Sequence, residues 1–229
     1  MYKKDFASMY DNIYKDKFYN SYAVFVKRII KEEKIKKPFI LDVACGTGRL
    51  INKLNKKNVE IEGLDVSEDM ISIAKKNNKS VKFYIQDFVN FYTSKKYNII
   101  TCTFDSINYI RNKKNLFKFF RNVNNHLKDG GIFIFDFNTI YKKIAQRTIK
   151  QNVFYITKIK NKYWFITIRI KKGRNFSEEK HIERLYLFSE IKPIINKTDF
   201  RVVGLYSDFK NKIKNVDKYG RLIIVLKKY

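Results

Sequence analysis

The sequence is poor in the residues that break a chain or cross-link it. Its 229 residues include only two Pro, eight Gly and two Cys. No stretch is rich in Pro, Gly or Ser, so no flexible linker is indicated. Cys45 and Cys102 show no pairing pattern, which favours a reducing compartment. No apolar run approaches the roughly 20 residues that span a bilayer, and the polar first residues are not those of a signal peptide. We expect a cytoplasmic protein without a membrane segment.

Acidic residues are also scarce. The chain has 22 Asp and Glu against 49 Lys and Arg, which gives a formal net charge of +27. One interpretation is a polyanion partner such as RNA, whose phosphates basic residues neutralise. The other is the composition of an A/T-rich genome, since Lys, Asn, Ile, Phe and Tyr are all abundant. Only ten basic residues are Arg, the better phosphate ligand, so the compositional interpretation is favoured. With two His and no clustered Cys, a metal held by the protein is not expected.

Hydrophobic periodicity predicts alternating helices and strands as far as Asn138, which indicates a doubly wound, mainly parallel sheet with helices on both faces. Long aromatic and β-branched strands then predict an antiparallel insertion at 141–188. We expect a single domain made of segments 1–37, 38–138, 141–188 and 189–229. The predicted helices are 5–34, 48–57, one that begins after Ser67, 112–127 and 189–197; the predicted strands are 39–43, 59–64, 81–85, 97–103, 132–137, 153–159, 163–171, 180–188, 200–207 and 221–227.

The most informative segment joins the first strand to the next helix. The strand ends at Asp42, and a small-residue loop with Gly46 and Gly48 follows. Glycines let the backbone approach a ligand closely, although an ordinary strand-to-helix turn also uses them. The carboxylate lies where a phosphate would be repelled. We therefore expect a ligand with a positive charge near Asp42.

A second acid, Asp65, ends the next strand. At this position a carboxylate can accept hydrogen bonds from two ribose hydroxyls, as in dinucleotide sites. A nicotinamide cofactor is the rival interpretation. Its fingerprint needs a third glycine three residues after Gly48, where this chain has Ile51, and Asp42 would repel its pyrophosphate. The dinucleotide is therefore disfavoured.

A third acid follows the third strand, in Gln86-Asp87-Phe88. It could accept a hydrogen bond from an exocyclic amine, while Phe88 lies beside a flat ring. With these acids in place, LDVACGTG, GLDVSEDM and QDF resemble, in order and spacing, the S-adenosylmethionine-dependent methyltransferases of seven-stranded Rossmann-like fold. The resemblance implies that the glycine loop takes the methionine part of the cofactor, Asp65 the ribose and Asp87 the adenine amine. Ala44 replaces the first loop glycine of the family.

A narrower resemblance links four further segments to small bacterial methyltransferases similar to glycine and amino-sugar N-methyltransferases. These segments are FASMYD from Phe6, TFDSINYI from Thr103, FDFN from Phe135 and HIERLY from His181. The resemblance implies that the insertion covers the active site and that N-terminal tyrosines cap the cofactor. The cofactor residues implied are Tyr10, Tyr19, Asp42, Ala44, Gly46, Gly48, Asp65, Val66, Met70, Gln86, Asp87, Phe88, Thr103 and Phe104.

The remaining candidates concern the methyl acceptor. His181 shares one face of a predicted strand with Glu183 and is a candidate base, although a surface histidine is the alternative. Asp105, Asn108 and Tyr109 follow the fourth strand at the ligand edge. His181, Tyr109 and Asp105 are the predicted catalytic residues, and the predicted substrate contacts are Asn108, Asp136, Asn138 and Arg184.

We therefore expect methyl transfer from S-adenosyl-L-methionine to nitrogen or oxygen of a small molecule. Two alternatives stay open: an RNA methyltransferase, suggested by the charge, and a protein that binds the cofactor without turnover. Cys102 lies inside a predicted strand, which argues against a cysteine-dependent mechanism. The sequence leaves both a monomer and a homodimer open.

Overall fold

A computed structural model describes residues 4–13, 16–143, 147–150 and 152–229. The helices are α1 (Lys4–Ile13), α2 (Asp16–Glu32), α3 (Arg49–Leu54), α4 (Glu68–Asn77), α5 (Lys113–His126) and α6 (Phe188–Ile195), with a 3-10 turn, η1, at Ser106–Tyr109. The strands are β1 (Phe39–Val43), β2 (Glu60–Asp65), β3 (Lys82–Ile85), β4 (Tyr97–Cys102), β5 (Leu127–Asn138), β6 (Arg147–Lys150), β7 (Val153–Lys160), β8 (Tyr163–Lys172), β9 (Asn175–Arg184), β10 (Phe200–Tyr206) and β11 (Arg221–Lys228). None of the described helices combines the length and the apolar character required to cross a bilayer.

The main sheet has seven strands in the order β10-β11-β5-β4-β1-β2-β3. Neighbours from β5 to β3 are parallel, whereas β11 is antiparallel to both β5 and β10. The predicted doubly wound, mainly parallel fold is confirmed, including its antiparallel edge. From β1 the chain adds strands first on one side and then, with β4, on the other. Such a switch point leaves a crevice at the carboxyl ends of β1 and β4.

Both faces of this sheet are buried, as its apolar strands require. Side chains alternate along a strand, so Ile40 and Ile99 pack with α2, α3 and α4, while Leu41 and Ile100 pack with α5 and α6. Burying each such side chain stabilises the fold by about 1.5–3 kcal/mol. Rigid strands covered by helices thus fix the positions of Asp42 and Asp65, at the ends of β1 and β2.

The predicted antiparallel insertion is also confirmed, as a separate sheet of order β6-β7-β8-β9. Residues 144–146 and 151, which the prediction includes, lie outside the described residues. Ile166 and Ile168 of β8 pack against Phe6 of α1, in a cluster that also contains Met70 of α4. Helix α1 therefore lies between the insertion sheet and the main fold.

The predicted limits of the last insertion strand, 180–188, were wrong at both ends. Lys172 pairs with Asn175, so only two residues form the turn and β9 starts directly after it, as in tight hairpins. The chain leaves the sheet after Arg184, and the Tyr186 N–H donates to the Asn138 carbonyl at 3.3 Å. Tyr186 and Phe188, two of the residues that extended the prediction, belong to the main core instead.

Other boundaries differ for local reasons. Strand β5 begins at Leu127 rather than 132, because Lys128–Gly131, predicted as a helix stop, forms an irregularity within the strand. Gly130 has a φ of 71° there, as expected at a bulge. The predicted helix 5–34 corresponds to α1 and α2, and residues 14–15 lie outside the described part of the chain, as do residues 1–3 of the predicted segment 1–37.

Candidate functional site

The loop after β1 has left-handed backbone at three positions. Ala44, Gly46 and Gly48 have φ values of 56°, 54° and 75°. At Gly48, a Cβ atom would lie 2.8 Å from Asn78 Nδ2 and 3.2 Å from Ala74 Cβ. Glycine there allows α4 to pack against the loop, and Gly48 is also the N-cap of α3.

Asp65 braces this loop from the end of β2. Its Oδ2 accepts from the Gly46 N–H at 2.9 Å, and its Oδ1 accepts from the Ser67 N–H at 2.9 Å. Ser67 caps α4 as predicted, since its hydroxyl accepts from the Met70 N–H at 3.3 Å. Burial raises the pKa of the Asp65 carboxyl, and the backbone hydrogen bonds oppose the rise.

Asp42 is a buried acid at the end of β1, with only 1% of its surface exposed. The Thr101 hydroxyl on β4 donates to its Oδ1 at 2.6 Å. Burial raises the pKa of Asp42 to about 7, the Thr101 hydrogen bond lowers it, and the charge of Asp65 raises it further. The Asp42 carboxylate is therefore costly to ionise until a cation lies near it.

Asp42 and Asp65 both line a cavity of about 210 Å³. Most of the predicted cofactor residues meet there, and no Lys or Arg of the described chain lines this cavity although the whole protein is strongly basic. The predicted residues that line it are Tyr10, Tyr19, Asp42, Ala44, Gly46, Asp65, Val66, Met70, Phe88, Thr103 and Phe104, and the residues not predicted for it are Cys45, Leu50, Ser67, Ser106, Tyr109 and His181.

Three predicted cofactor residues do not line this cavity. Gly48 instead shapes the loop, because its left-handed backbone lets the chain turn into α3. The Gln86 amide closes its own loop, donating to the Tyr92 carbonyl at 3.1 Å and accepting from the Tyr92 N–H at 2.7 Å. Asp87 is exposed, and its Oδ1 accepts from the Val89 N–H at 2.8 Å. The adenine contact predicted for Asp87 stays a prediction.

Helices α1 and α2 cover the cavity with aromatic rings. The Tyr19 hydroxyl donates to the Tyr10 hydroxyl at 3.3 Å, and the Tyr19 ring stacks on Phe104 with centroids 4.2 Å apart. Asp11 ties α1 to the glycine loop, since the Thr47 hydroxyl donates to its Oδ1 at 2.6 Å. The two tyrosines predicted to cap the cofactor therefore lie together over its pocket.

A second cavity, of about 580 Å³, adjoins the first. Tyr10, Phe104, Tyr109 and His181 line both cavities, so these four residues mark the place where the two spaces meet. His181 Nε2 lies 3.2 Å from Glu179 Oε2. The predicted catalytic residues Tyr109, His181 and Asp105 all line the larger cavity.

The predicted substrate contacts lie behind this cavity rather than in its wall. Asn108 is fully buried, and its amide donates to the carbonyls of Asn138 and Arg184 at 2.9 and 2.6 Å. Arg184 turns away to pair with Glu190 at 3.0 Å. Asn138 comes nearest to the cavity, since its amide contacts Asp105 and Glu183.

Asp136 is a buried hub. Its carboxylate accepts from the Tyr22 hydroxyl at 2.9 Å and from the N–H groups of Phe104 and Asp105 at 2.9 and 3.0 Å. Arg221 donates to it through Nε at 2.6 Å. Burial raises the pKa of Asp136, and the Arg221 charge opposes the rise. These contacts give Asp136 a supporting position, with no surface left for a substrate.

Sequence reasoning missed several walls of the larger cavity. Trp164, Ile166 and Ile168 alternate along β8 and turn one face to it, a signal that period-two spacing could have supplied. Lys142 and Arg221 had no such signal, because they reach the cavity from distant segments. The other lining residues that were not predicted are Lys17, Phe18, Ser21, Tyr155, Glu183 and Phe209.

The fold and these paired cavities define an α/β enzyme with a cofactor pocket at the switch point of its sheet. Residues 40–131 match the family described as a methyltransferase domain. The uncharacterized protein MJ1252 of Methanocaldococcus jannaschii is 35% identical over 206 residues, which cover 88% of this chain and 76% of that protein. The chain belongs to the S-adenosylmethionine-dependent methyltransferase family, and it is an enzyme of that class.

Two other proteins bear on this assignment. The crystal structure of an S-adenosylmethionine-dependent methyltransferase from Clostridium acetobutylicum has a TM-score of 0.84 and 26% identity, covering 96% of this chain and 98% of that one. The dTDP-3-amino-3,4,6-trideoxy-α-D-glucopyranose N,N-dimethyltransferase of Streptomyces venezuelae is 28% identical over 136 residues, or 58% of this chain and 57% of that protein. The match thus spans little more than half the length of that sugar methyltransferase. The cofactor predicted from the sequence, S-adenosylmethionine, is confirmed.

The pKa of Asp42 predicts a pH dependence of cofactor binding. Ionised Asp42 attracts a cation, so S-adenosylmethionine should bind several-fold more tightly as the pH rises through about 7. Calorimetry at a series of pH values measures this, and Asp42→Asn should remove that part of the dependence. An identical pH profile in wild type and variant would contradict the assignment.

The ligand-free protein should show the opposite trend in stability. The folded pKa of Asp42, about 7, lies above the unfolded value of roughly 3.9. The folded state therefore holds the extra proton, and the stability it contributes is lost as the pH rises through the folded pKa. Thermal melts of wild type and Asp42→Asn should diverge between those two values.

Proposed function

We propose that this enzyme transfers the methyl group of S-adenosylmethionine to an amine nitrogen of a small molecule in the cytoplasm. The observation that carries the proposal is the contact between two cavities at Tyr10, Phe104, Tyr109 and His181. A cofactor in the smaller cavity would present its methyl group to an acceptor in the larger one. The two cysteines are free and buried, as suits a reducing cytoplasm.

The smaller cavity fits a cationic cofactor. It holds the carboxylates of Asp42 and Asp65, and the described residues put no Lys or Arg in its wall. When bound, the cofactor supplies an electrophilic methyl group on a sulfonium. Asp65 would hold the ribose hydroxyls, and Asp42 would lie near the cationic methionyl end. The rings of Tyr10 and Phe104 would each stabilise the sulfonium by about 0.5–2 kcal/mol, while Tyr19, which stacks on Phe104 and lies under the Arg49 guanidinium, would hold Phe104 in place.

The rest of the chain would position the acceptor and exclude water. Positioning alone can lower such a barrier by about 7–11 kcal/mol. The chain would form one domain, with a cofactor-binding core at 38–138 that is completed by 189–229. Segment 1–37 would act as a helical cap and segment 141–188 as a lid. Tyr109, His181 and Asp105 line the acceptor cavity and would contact the acceptor.

Nitrogen is favoured over oxygen by two observations. The larger cavity carries the carboxylates of Asp105 and Glu183, which suit an ammonium group. The name of the Streptomyces venezuelae relative describes dimethylation of an amino sugar. Aromatic rings of Phe18, Tyr155 and Trp164 also line the cavity, and such faces pack against the apolar side of a sugar or a flat ring.

A labelled-methyl assay tests the proposal. Tritiated S-adenosylmethionine is incubated with the enzyme and a cell extract, and the RNA and the small molecules are then separated. We expect label in the small molecules, with a rate that changes little between low and moderate salt. Label in the RNA alone, with a rate that falls steeply with salt, would instead support an RNA methyltransferase and overturn the proposal.

A further inference from the structure

A cluster of ionisable side chains in the acceptor cavity has no role in the cofactor pocket. Asn138 joins its two carboxylates, since the same amide nitrogen contacts Asp105 Oδ2 and, at 3.3 Å, Glu183 Oε2. Lys142 Nζ donates to the Asn138 side-chain oxygen at 2.8 Å. Glu183 is only 4% exposed, so the protein holds a nearly buried carboxylate at the wall of a cavity large enough for a small molecule.

With Asp136, which lies behind the cavity wall, the cluster holds three carboxylates, and its two cations are Arg221 and Lys142. Arg221 pairs with Asp136 at 2.5 Å and with Asp105 at 3.4 Å, and Lys142 reaches Asn138 and the face of Trp164. Glu183 has no ion pair at salt-bridge distance among the described residues. A buried charge needs a partner, and an acceptor that enters as an ammonium ion would supply one.

We propose that Glu183 is the catalytic residue that takes the proton from the acceptor ammonium, an inference that rests on the proposed function. The ammonium gives its proton to the Glu183 carboxylate and becomes a neutral amine. The nitrogen lone pair then forms the bond to the methyl carbon while the carbon–sulfur bond breaks, and its electron pair stays on sulfur. The products are a methylated ammonium, a neutral thioether and protonated Glu183, which returns its proton to solvent.

The surroundings of Glu183 suit this role. Burial raises its pKa well above the usual range, the charge of Asp105 adds to the rise, and Lys142 opposes it. A carboxylate with a raised pKa is a stronger base and matches an amine better. The other titratable and charged groups that line this cavity are Tyr10, Lys17, Asp105, Tyr109, Lys142, Tyr155, His181 and Arg221.

His181 is the competing base. It belongs to the same strand and the same face as Glu183, but its Nε2 lies 3.2 Å from Glu179 Oε2, and its ring contacts Phe6 and Tyr109. These contacts connect His181 with α1 and with η1. Glu183, by contrast, is joined to the acceptor cluster through Asn138. The geometry therefore favours Glu183 as the proton acceptor and His181 as part of the wall between the cavities.

The test measures methyl transfer against pH with a named acceptor pool. The probe is the set of small molecules that a cation-exchange resin retains from a cell extract, with tritiated S-adenosylmethionine as donor. Glu183→Gln should lower the rate near pH 7 by roughly a hundredfold or more. The deficit should shrink at high pH, where the amine loses its proton to water and needs no base. Glu183→Asp should keep part of the activity.

Controls separate catalysis from folding. Glu178→Gln is the matched control, because Glu178 lies on β9 but on the other face, paired with Arg169 at 2.7 Å; its rate should equal that of wild type. Each variant is also checked for cofactor affinity and melting temperature, which Glu183→Gln should leave near the wild-type values.

Each other outcome is decisive. A Glu183→Gln enzyme with the wild-type rate and pH profile overturns the inference while the proposed function stands. The inference also fails if His181→Asn, and not Glu183→Gln, shows the deficit that high pH relieves. If the wild-type enzyme labels none of the retained amines, the proposed amine acceptor is wrong and the inference fails with it.

Discussion

Asp65→Ala should weaken the binding of S-adenosylmethionine at least tenfold, or by about 1.4 kcal/mol or more. The variant removes the proposed ribose contact. It also removes the acceptor for the N–H groups of Gly46 and Ser67, both at 2.9 Å, which shape the pocket floor. Leaving such buried donors unpaired costs about 1–3 kcal/mol each. Calorimetry with the purified enzyme measures the affinity directly.

Glu68→Ala is the matched control for this effect. Glu68 lies three residues further along, in the first turn of α4, and is exposed. The Glu68→Ala variant removes one negative charge close to Asp65 without touching the glycine loop after β1. Its affinity for S-adenosylmethionine should therefore stay within about twofold of wild type, since such surface changes have small effects. If Asp65→Ala left the affinity for S-adenosylmethionine unchanged, Asp65 would not be the residue that holds the ribose.

The second large effect is on stability. Asp136→Ala should lower the free energy of unfolding by about 3–5 kcal/mol, the usual cost of breaking a buried ion pair. It leaves Arg221 without its partner at 2.5 Å and leaves the Tyr22 hydroxyl without its acceptor at 2.9 Å. Urea unfolding measures the loss. Asp129→Ala, on the same strand but 91% exposed in its side chain, should change stability by less than about 1 kcal/mol.

A double variant distinguishes this hub from a substrate contact. If Asp136 acts through Arg221, the combined loss in Asp136→Ala with Arg221→Ala should be clearly smaller than the sum of the single losses. A role confined to substrate binding would instead leave the stability of Asp136→Ala near that of wild type, with only the acceptor affinity changed. That second pattern would contradict the structural account of Asp136.

The cofactor half of the site could be predicted because its signals are local. Asp42 and Asp65 lie at the ends of β1 and β2, Gly46 lies in the loop after β1, and the carboxyl ends of neighbouring parallel strands meet at one edge. The predicted strands alone therefore implied that these residues lie close together.

The residues of the acceptor cavity could not be predicted in the same way. Arg221 reaches the site from the last strand and Lys142 from the turn after β5, and no sequence period links them. Asn108 was expected to touch substrate because it follows the fourth strand at the ligand edge, and Asp136 was predicted as a substrate contact as well. Asp136 is buried against Arg221 of β11 and Tyr22 of α2, and Asn108 is buried where its amide donates to the carbonyls of Asn138 and Arg184. Both positions follow from tertiary packing, which local spacing does not show.

The insertion shows the same division. Long runs of aromatic and β-branched residues after Asn138 predicted the antiparallel sheet, because such composition is a local signal. The end of β9 was misplaced, because Tyr186 and Phe188 resemble the aromatic residues of the insertion strands but pack into the main core. Hydrophobicity showed that these side chains are buried and could not show in which core.

Methyl transfer to a nitrogen atom of a small molecule is the core of the proposed function. Its most direct test uses S-adenosylmethionine with a deuterated methyl group and the small molecules of a cell extract, followed by mass spectrometry of the products and of the S-adenosylhomocysteine formed. We expect one deuteromethylated amine for each S-adenosylhomocysteine. S-adenosylhomocysteine that accumulates with the label on RNA, on oxygen or on no small molecule would contradict it.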